Sequence, residues 1–190
     1  MAARKRERAR KPVRYWPVPA ITHRIPVAGD PGAFREDRGD RMHCGVDLHA
    51  PPGTVIVAVE GGTAVSIGIA TSPEIVPYWN LTRSVTIESG DGRIWRYSEL
   101  ATVLVSEGDP VAGGQVIGTV GLVLNCRKVR AADPPYIRDL CRKGLGSMLH
   151  LELAVRRPPE GGEYLGGNWF GGRGRAFPFR DPAPLIRKAR

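Results

Sequence analysis

No run of this 190-residue chain approaches the roughly 18 apolar residues that a membrane-spanning helix needs, which excludes a helical membrane span. The basic N-terminus (Arg4, Lys5, Arg6, Arg8, Arg10, Lys11 and Arg14) is followed by Pro12, Pro17 and Pro19 rather than by an apolar core, so no secretory signal is read in the chain as written. That leaves the compartment open. Cysteine is scarce. Cys44, Cys126 and Cys141 are too few for a disulfide framework, although Cys126 and Cys141 can close one loop in an oxidising compartment and leave Cys44 free. Helical periodicity is almost missing and no internal repeat is visible, which argues against helical bundles and repeat arrays.

A hydrophobic content of 42% and a charged content of 25% are those of a globular protein large enough for one core. The net charge of +9 is not spread evenly. Residues 1–14 carry +6 and residues 173–190 carry +5, leaving the body at −2. Such tails can bind an anionic polymer; the plainer expectation is two solvated ends, since no nucleic-acid motif accompanies the charge. The chain is expected to divide into a basic, proline-rich extension (1–39), a β domain (40–157) and a Gly/Pro-rich basic extension (158–190).

Within the β domain, short β-branched runs alternate with glycine turns. Thr54–Val59, Thr63–Ile69, Ser84–Glu88, Arg93–Tyr97, Val103–Val105, Gln115–Gly121 and Met148–Val155 read as strands, with Gly90-Asp91-Gly92 as a hairpin turn. In Ser84–Glu88, Val85 and Ile87 should face inward and Ser84, Thr86 and Glu88 outward. The fold class is therefore all-β, a mostly antiparallel sandwich or groove. Residues 133–144 stand apart. Asp133 reads as an N-cap, proline occupies the first turn, basic residues fill the last, and Gly144 is a C′ stop, so a short helix is expected inside the 122–147 segment.

The chemistry concentrates in Met42-His43-Cys44-Gly45-Val46-Asp47-Leu48-His49. Neutral imidazole and carboxylate suit zinc, which in catalytic sites takes three protein ligands and leaves one position open. His43 and Asp47 supply two donors, and Gly45 permits the turn that would bring them together. His150 is a third candidate a hundred residues on. A His-x-x-x-Asp pair by itself is as compatible with a structural role as with metal binding.

The wider pattern is more specific. His43-x-Gly45-x-Asp47, then Ala50-Pro51-x-Gly53-Thr54, Tyr97-Ser98-Glu99-Leu100, Val105-x-x-Gly108-Asp109 with Gly114-Gln115-x-Ile117-Gly118, and Leu149-His150-Leu151-Glu152 follow one another in order. Together they resemble the lysostaphin-like zinc endopeptidases, which cleave peptidoglycan peptides in a groove over an antiparallel sheet. The resemblance covers about residues 40–155, with an echo at Asp181-Pro182. It implies one zinc ion, held by His43, Asp47 and His150, and a peptidoglycan-type peptide as substrate at an extracytoplasmic location.

The resemblance fails at both remaining active-site histidines. Met148 stands where the family has its general base, two residues before His150 and on the same face of a strand. Met148 neither accepts nor donates a proton. Glu99 stands in place of the histidine of Tyr-x-His-Leu, which assists the developing oxyanion. Two readings follow. Either Glu99 is the base of a zinc metallopeptidase, with His49 in reserve, or the chain is a non-catalytic module that binds cell-wall peptides or regulates a partner hydrolase. His49 is otherwise expected to pack over the sheet, Cys44 to point away from the ligands, His23 to be inert, and Trp95 to sit in the core. Trp169 and Phe170 are candidates for lining a groove. The 122–147 insertion is either a lid beside the groove or a surface ornament.

Overall fold

The alternation at residues 84–88 and the β-branched runs around it form strands that are antiparallel in every pairing. The structure, a computed structural model, describes residues 13–38, 42–157 and 179–189. Most of the basic N-terminal stretch and residues 158–178, with Trp169 and Phe170, lie outside the described residues.

The strands are β1 (Gly45–His49), β2 (Val55–Val57), β3 (Gly62–Thr71), β4 (Thr82–Ser89), β5 (Ile94–Val103), β6 (Pro110–Val111), β7 (Val116–Leu122), β8 (Ser147–Ala154) and β9 (Phe179–Arg180). Helix α1 (Pro135–Arg142) lies between β7 and β8, and the single turn α2 (Ala183–Ile186) closes the described chain. The strands form one curled antiparallel sheet, in which β8 is flanked by β1 on one side and by β5 and β7 on the other.

Period-2 alternation sorts each strand into two faces. On β8, Leu149, Leu151 and Leu153 enter the core, where Val46 and Leu48 of β1 and Trp95 and Tyr97 of β5 meet them. Met148, His150 and Glu152 take the other face. The register pairs Asp47 with His150 and His49 with Met148, so both β1 residues share that face. The core also takes Trp16 and Val18 from the segment read only as extended; it runs beside β2 through the Tyr15 N–H to Val59 and Val57 N–H to Pro17 bonds.

Two local expectations change and one is refined. Val103–Val105 is not a separate strand, because Val103 ends β5 and Leu104 continues past its end. Ser84 takes the face away from Val85 and Ile87 as expected, but it is buried there, covered by Arg96, whose Nη2 donates to its hydroxyl at 3.2 Å. Asp133 does not cap α1. Pro134 occupies the cap, and Asp133 instead accepts from the Arg130 N–H at 2.6 Å, closing the preceding turn. Gly144, at φ +68°, does end the helix in the left-handed conformation.

The 122–147 segment has its own small apolar cluster, made of Val123, Leu124, Ile137 and Leu140 together with Tyr78 from the loop after β3. A disulfide joins Cys126 to Cys141, and a bridge pairs Leu124 with Trp79. The bridge ties the start of the segment to the loop after β3, and the disulfide closes the segment on itself.

Candidate metal centre

His43, Asp47 and His150 come together on the face of the sheet opposite the main core. His150 Nδ1 lies 2.8 Å from Asp47 Oδ1, His43 Nε2 lies 3.1 Å from the same oxygen, and the two ring nitrogens are 3.0 Å apart. All three residues are buried. The outer nitrogen of each imidazole is already committed. His43 Nδ1 donates to the Ala33 carbonyl at 2.8 Å, and His150 Nε2 donates to Glu152 Oε1 at 2.7 Å. The inner nitrogens are thereby turned toward the carboxylate, so two imidazole nitrogens and an oxygen face one point. Such a point needs a cation. Donors about 2.0–2.1 Å from one zinc ion stand roughly 3.3 Å apart, and the observed triangle is slightly tighter than that. The donor set, its spacing and the hydrogen-bonded outer nitrogens all fit a metal ion.

The electrostatics agree. Burial alone would raise the Asp47 carboxyl, but His43 and Arg38, with hydrogen bonds from both imidazoles, hold it well below the usual carboxylate range. Burial lowers His43, against the pull of Asp47. Burial also opposes charge on His150, yet its hydrogen bonds to Asp47, Cys44 and Glu152 outweigh this and raise it well above an ordinary imidazole. In the metal-free chain a proton shared between His150 Nδ1 and Asp47 Oδ1 would stand where a metal would bind, and metal binding would release it.

Gly45 does not make a turn. It lies within β1, and a Cβ there would come 2.4 Å from the Leu151 carbonyl oxygen. Its role is the close approach of β1 to β8, which brings Asp47 opposite His150. Gly32, at φ +82°, is similarly forced: its missing Cβ would meet the Asp47 Cβ at 2.6 Å.

Cys44 lies behind His150, with Sγ donating to Glu152 Oε1 at 3.1 Å and standing 3.9 Å from His150 Nε2. Burial and Glu152 push its thiol up to about 12, so it stays neutral. Although Cys44, His150 and Glu152 also form a compact trio, the thiol serves there as a donor rather than as a thiolate. His49 is not in the donor set. It sits across from Met148, borders a cavity shared with Asp47, and neither ring nitrogen has a hydrogen-bond partner among the described residues. His23 stacks on Trp16 at 4.5 Å, and Trp95 is core, its indole N–H donating to Glu60 at 3.0 Å.

Glu99 is positioned by a break in β5. Up to Ser98 the strand pairs with β8; from Leu100 it pairs with β7. At the switch Glu99 has φ +69°, rare and strained for a residue with a side chain. The extra residue shifts the alternation, so the adjacent side chains of Ser98 and Glu99 both face the metal-site cavity while Leu100 returns to the core. Glu99 Oε2 is enclosed with no hydrogen-bond partner among the described residues. Burial, then the Asp47 charge, raise its carboxyl to about 8. Met148 lines the same cavity and is buried.

Arg38 is a residue that sequence reasoning missed. It was one charge in an acidic and basic loop with no periodic signal. In the fold its Nη2 donates to Asp47 Oδ2 at 2.6 Å and its guanidinium lies 5.2 Å from the Tyr136 ring centroid. It engages the carboxylate oxygen that does not face the histidines.

A family model described as peptidase family M23 matches residues 41–137. A search of the curated proteins gives no match. Among solved structures, a Ruminococcus gnavus protein assigned as a glycyl-glycine endopeptidase lytM is similar at TM-score 0.53 and 19% identity, over 94% of this chain and 61% of that one. The catalytic domain of the antimicrobial peptidase lysostaphin from Staphylococcus simulans is similar at TM-score 0.50 and 20% identity, over 83% of this chain and 88% of the domain. Against the longer lysostaphin chain the match covers 77% of this chain and 44% of that one, at TM-score 0.47 and 21% identity. At these identities the structural likeness speaks to the fold.

Proposed function

The chain belongs to peptidase family M23, and from that membership we propose that it is a zinc metallopeptidase hydrolysing peptide bonds in peptidoglycan or a similar peptide. His43, Asp47 and His150 would hold one zinc ion. The observation that carries the reading is the meeting of their three donor atoms, each within 3.1 Å of the others. A bound zinc ion polarises a carbonyl and lowers the pKa of water toward neutrality.

The remaining work falls to the chain's own groups. Ala33 and Glu152 hold the two imidazoles with their inner nitrogens aimed inward, where a metal would displace any proton they carry. Arg38 holds one Asp47 oxygen and leaves the other to the site. Glu99 is the proton acceptor in this proposal. Its carboxyl, raised by burial to about 8, gives up and regains a proton near neutral pH, as a base should. Met148 contributes an apolar surface that excludes water and no proton chemistry. The Cys126–Cys141 disulfide supports a location outside the reducing cytosol.

Met148 also favours a second reading, a non-catalytic module that binds cell-wall peptides or regulates a partner hydrolase. Metal analysis and an activity assay on wild type, Glu99→Gln and His150→Ala separate the two. Zinc at one equivalent without turnover of any wall peptide would reject the peptidase. Turnover that survives Glu99→Gln would reject the base. Zinc content unaffected by His150→Ala would reject the site.

A further inference from the structure

The cavity over the metal-ligating triad has two unlike sides. Its floor is polar, with His43, Asp47, His150, Ser98, Glu99 and Arg38. Its wall is formed by Trp79, Val123, Leu124, Tyr136, Ile137 and Leu140. Every wall residue comes from the 122–147 segment or from the loop that pairs with it. We propose that this wall is a side-chain subsite, which selects peptides with a leucine- or phenylalanine-sized apolar residue beside the bond presented to the triad. The proposal rests on reading the triad as a peptide-hydrolysing centre.

Three observations support it. The wall is preformed: the Asn80 N–H donates to Val123 and the Asn125 N–H to Tyr78, both at 2.8 Å, and the disulfide closes the segment behind the helix. Its place relative to the ligands is tied through Arg38, which reaches Asp47 at one end and lies against Tyr136 at the other. Its chemistry is one-sided. Apart from the Tyr136 hydroxyl and the Trp79 indole N–H, its side chains offer no polar atom, so a charged or amide side chain placed there would lose its water without replacement. Val123, Leu124, Ile137 and Leu140 already pack in the segment's own core, so a glycine would leave chiefly the half-buried Trp79 and Tyr136 rings uncovered. Burying a leucine-sized side chain against them instead favours binding by roughly 10- to 100-fold.

The test uses the zinc-loaded full chain and a series of peptidyl hydroxamates that differ only in the residue next to the hydroxamate: glycine, alanine, leucine, phenylalanine or aspartate. Calorimetry gives the dissociation constants. The subsite requires at least a tenfold fall from glycine to leucine or phenylalanine, and weaker binding of aspartate than of alanine. A flat series, a series in which glycine binds tightest, or no measurable binding of any member overturns it. Ile137→Ser should shrink the glycine-to-leucine ratio measured within that protein. Should the variant not fold, the wild-type series decides alone. Tight apolar-selective binding without cleavage of the matching peptides would reject the peptidase and leave the subsite standing. Cleavage indifferent to the flanking side chain would do the reverse.

Discussion

Replacing Glu99 by glutamine in the metal-free protein should stabilise it, and by an amount that grows with pH. The carboxyl is half-buried, with Oε2 enclosed and without a hydrogen-bond partner among the described residues, and its pKa rises from 4.5 to about 8. Between these values the folded chain keeps a proton that the unfolded chain has lost. Stability should therefore be full below about pH 4.5 and fall as pH rises through about 8. The whole shift is worth at most about 5 kcal/mol, and roughly half of that once partial solvent contact is counted. Glutamine has nearly the shape of the protonated acid and does not ionise. At 2–4 °C per kcal/mol for a chain of this size, the variant should melt roughly 5–10 °C above wild type near pH 9 and level with it near pH 4.5. Thermal melts in chelator across that range give the curve. Parallel curves for the two proteins would refute the placement of Glu99 in a dry, negative setting. Added zinc should shrink the gap, because a nearby cation favours the carboxylate.

Four other outcomes follow from the same geometry. If Glu99 accepts the proton, peptide turnover should rise with pH to an apparent pKa at or below about 8, and Glu99→Gln should lower it by roughly 10²- to 10⁴-fold in a stopped peptide-release assay. Met148→His, which returns an imidazole beside His150 on β8, should raise turnover by a similar factor, measured in the same assay with zinc content as a control. Glu152→Gln, which weakens the partner holding His150 Nε2, should reduce zinc affinity by roughly 10- to 100-fold in a chelator competition. Changing Cys126 and Cys141 together to serine opens a loop of sequence separation 15 and should cost about 3 kcal/mol, read by denaturant unfolding under oxidising conditions.

Much of the site was legible from residue order. Donor identity is a matter of side-chain chemistry, and His43, Asp47 and His150 are the right chemistry wherever they meet. The period of two puts Met148 and His150 on one face, and the turn glycines predict antiparallel strands. Gly45 was misread because a glycine's use depends on what approaches it. No local rule reveals that the Leu151 carbonyl occupies the space its Cβ would need. Asp133 was misread as a cap because Pro134 displaced the helix start by one position.

What residue order determined is composition and alternation: an all-β chain, its metal-ligand candidates, and the missing histidines at positions 99 and 148. Tertiary structure alone decided how those pieces face one another. It set the β1–β8 register that joins residues 107 apart in sequence. It inverted the backbone at Glu99, where β5 leaves β8 for β7. It carried Arg38 to Asp47 and raised an apolar wall from the 122–147 insertion. Local preferences act over a few residues along the chain, whereas register, strand exchange and the docking of an insertion depend on contacts between segments that have no neighbourhood in sequence.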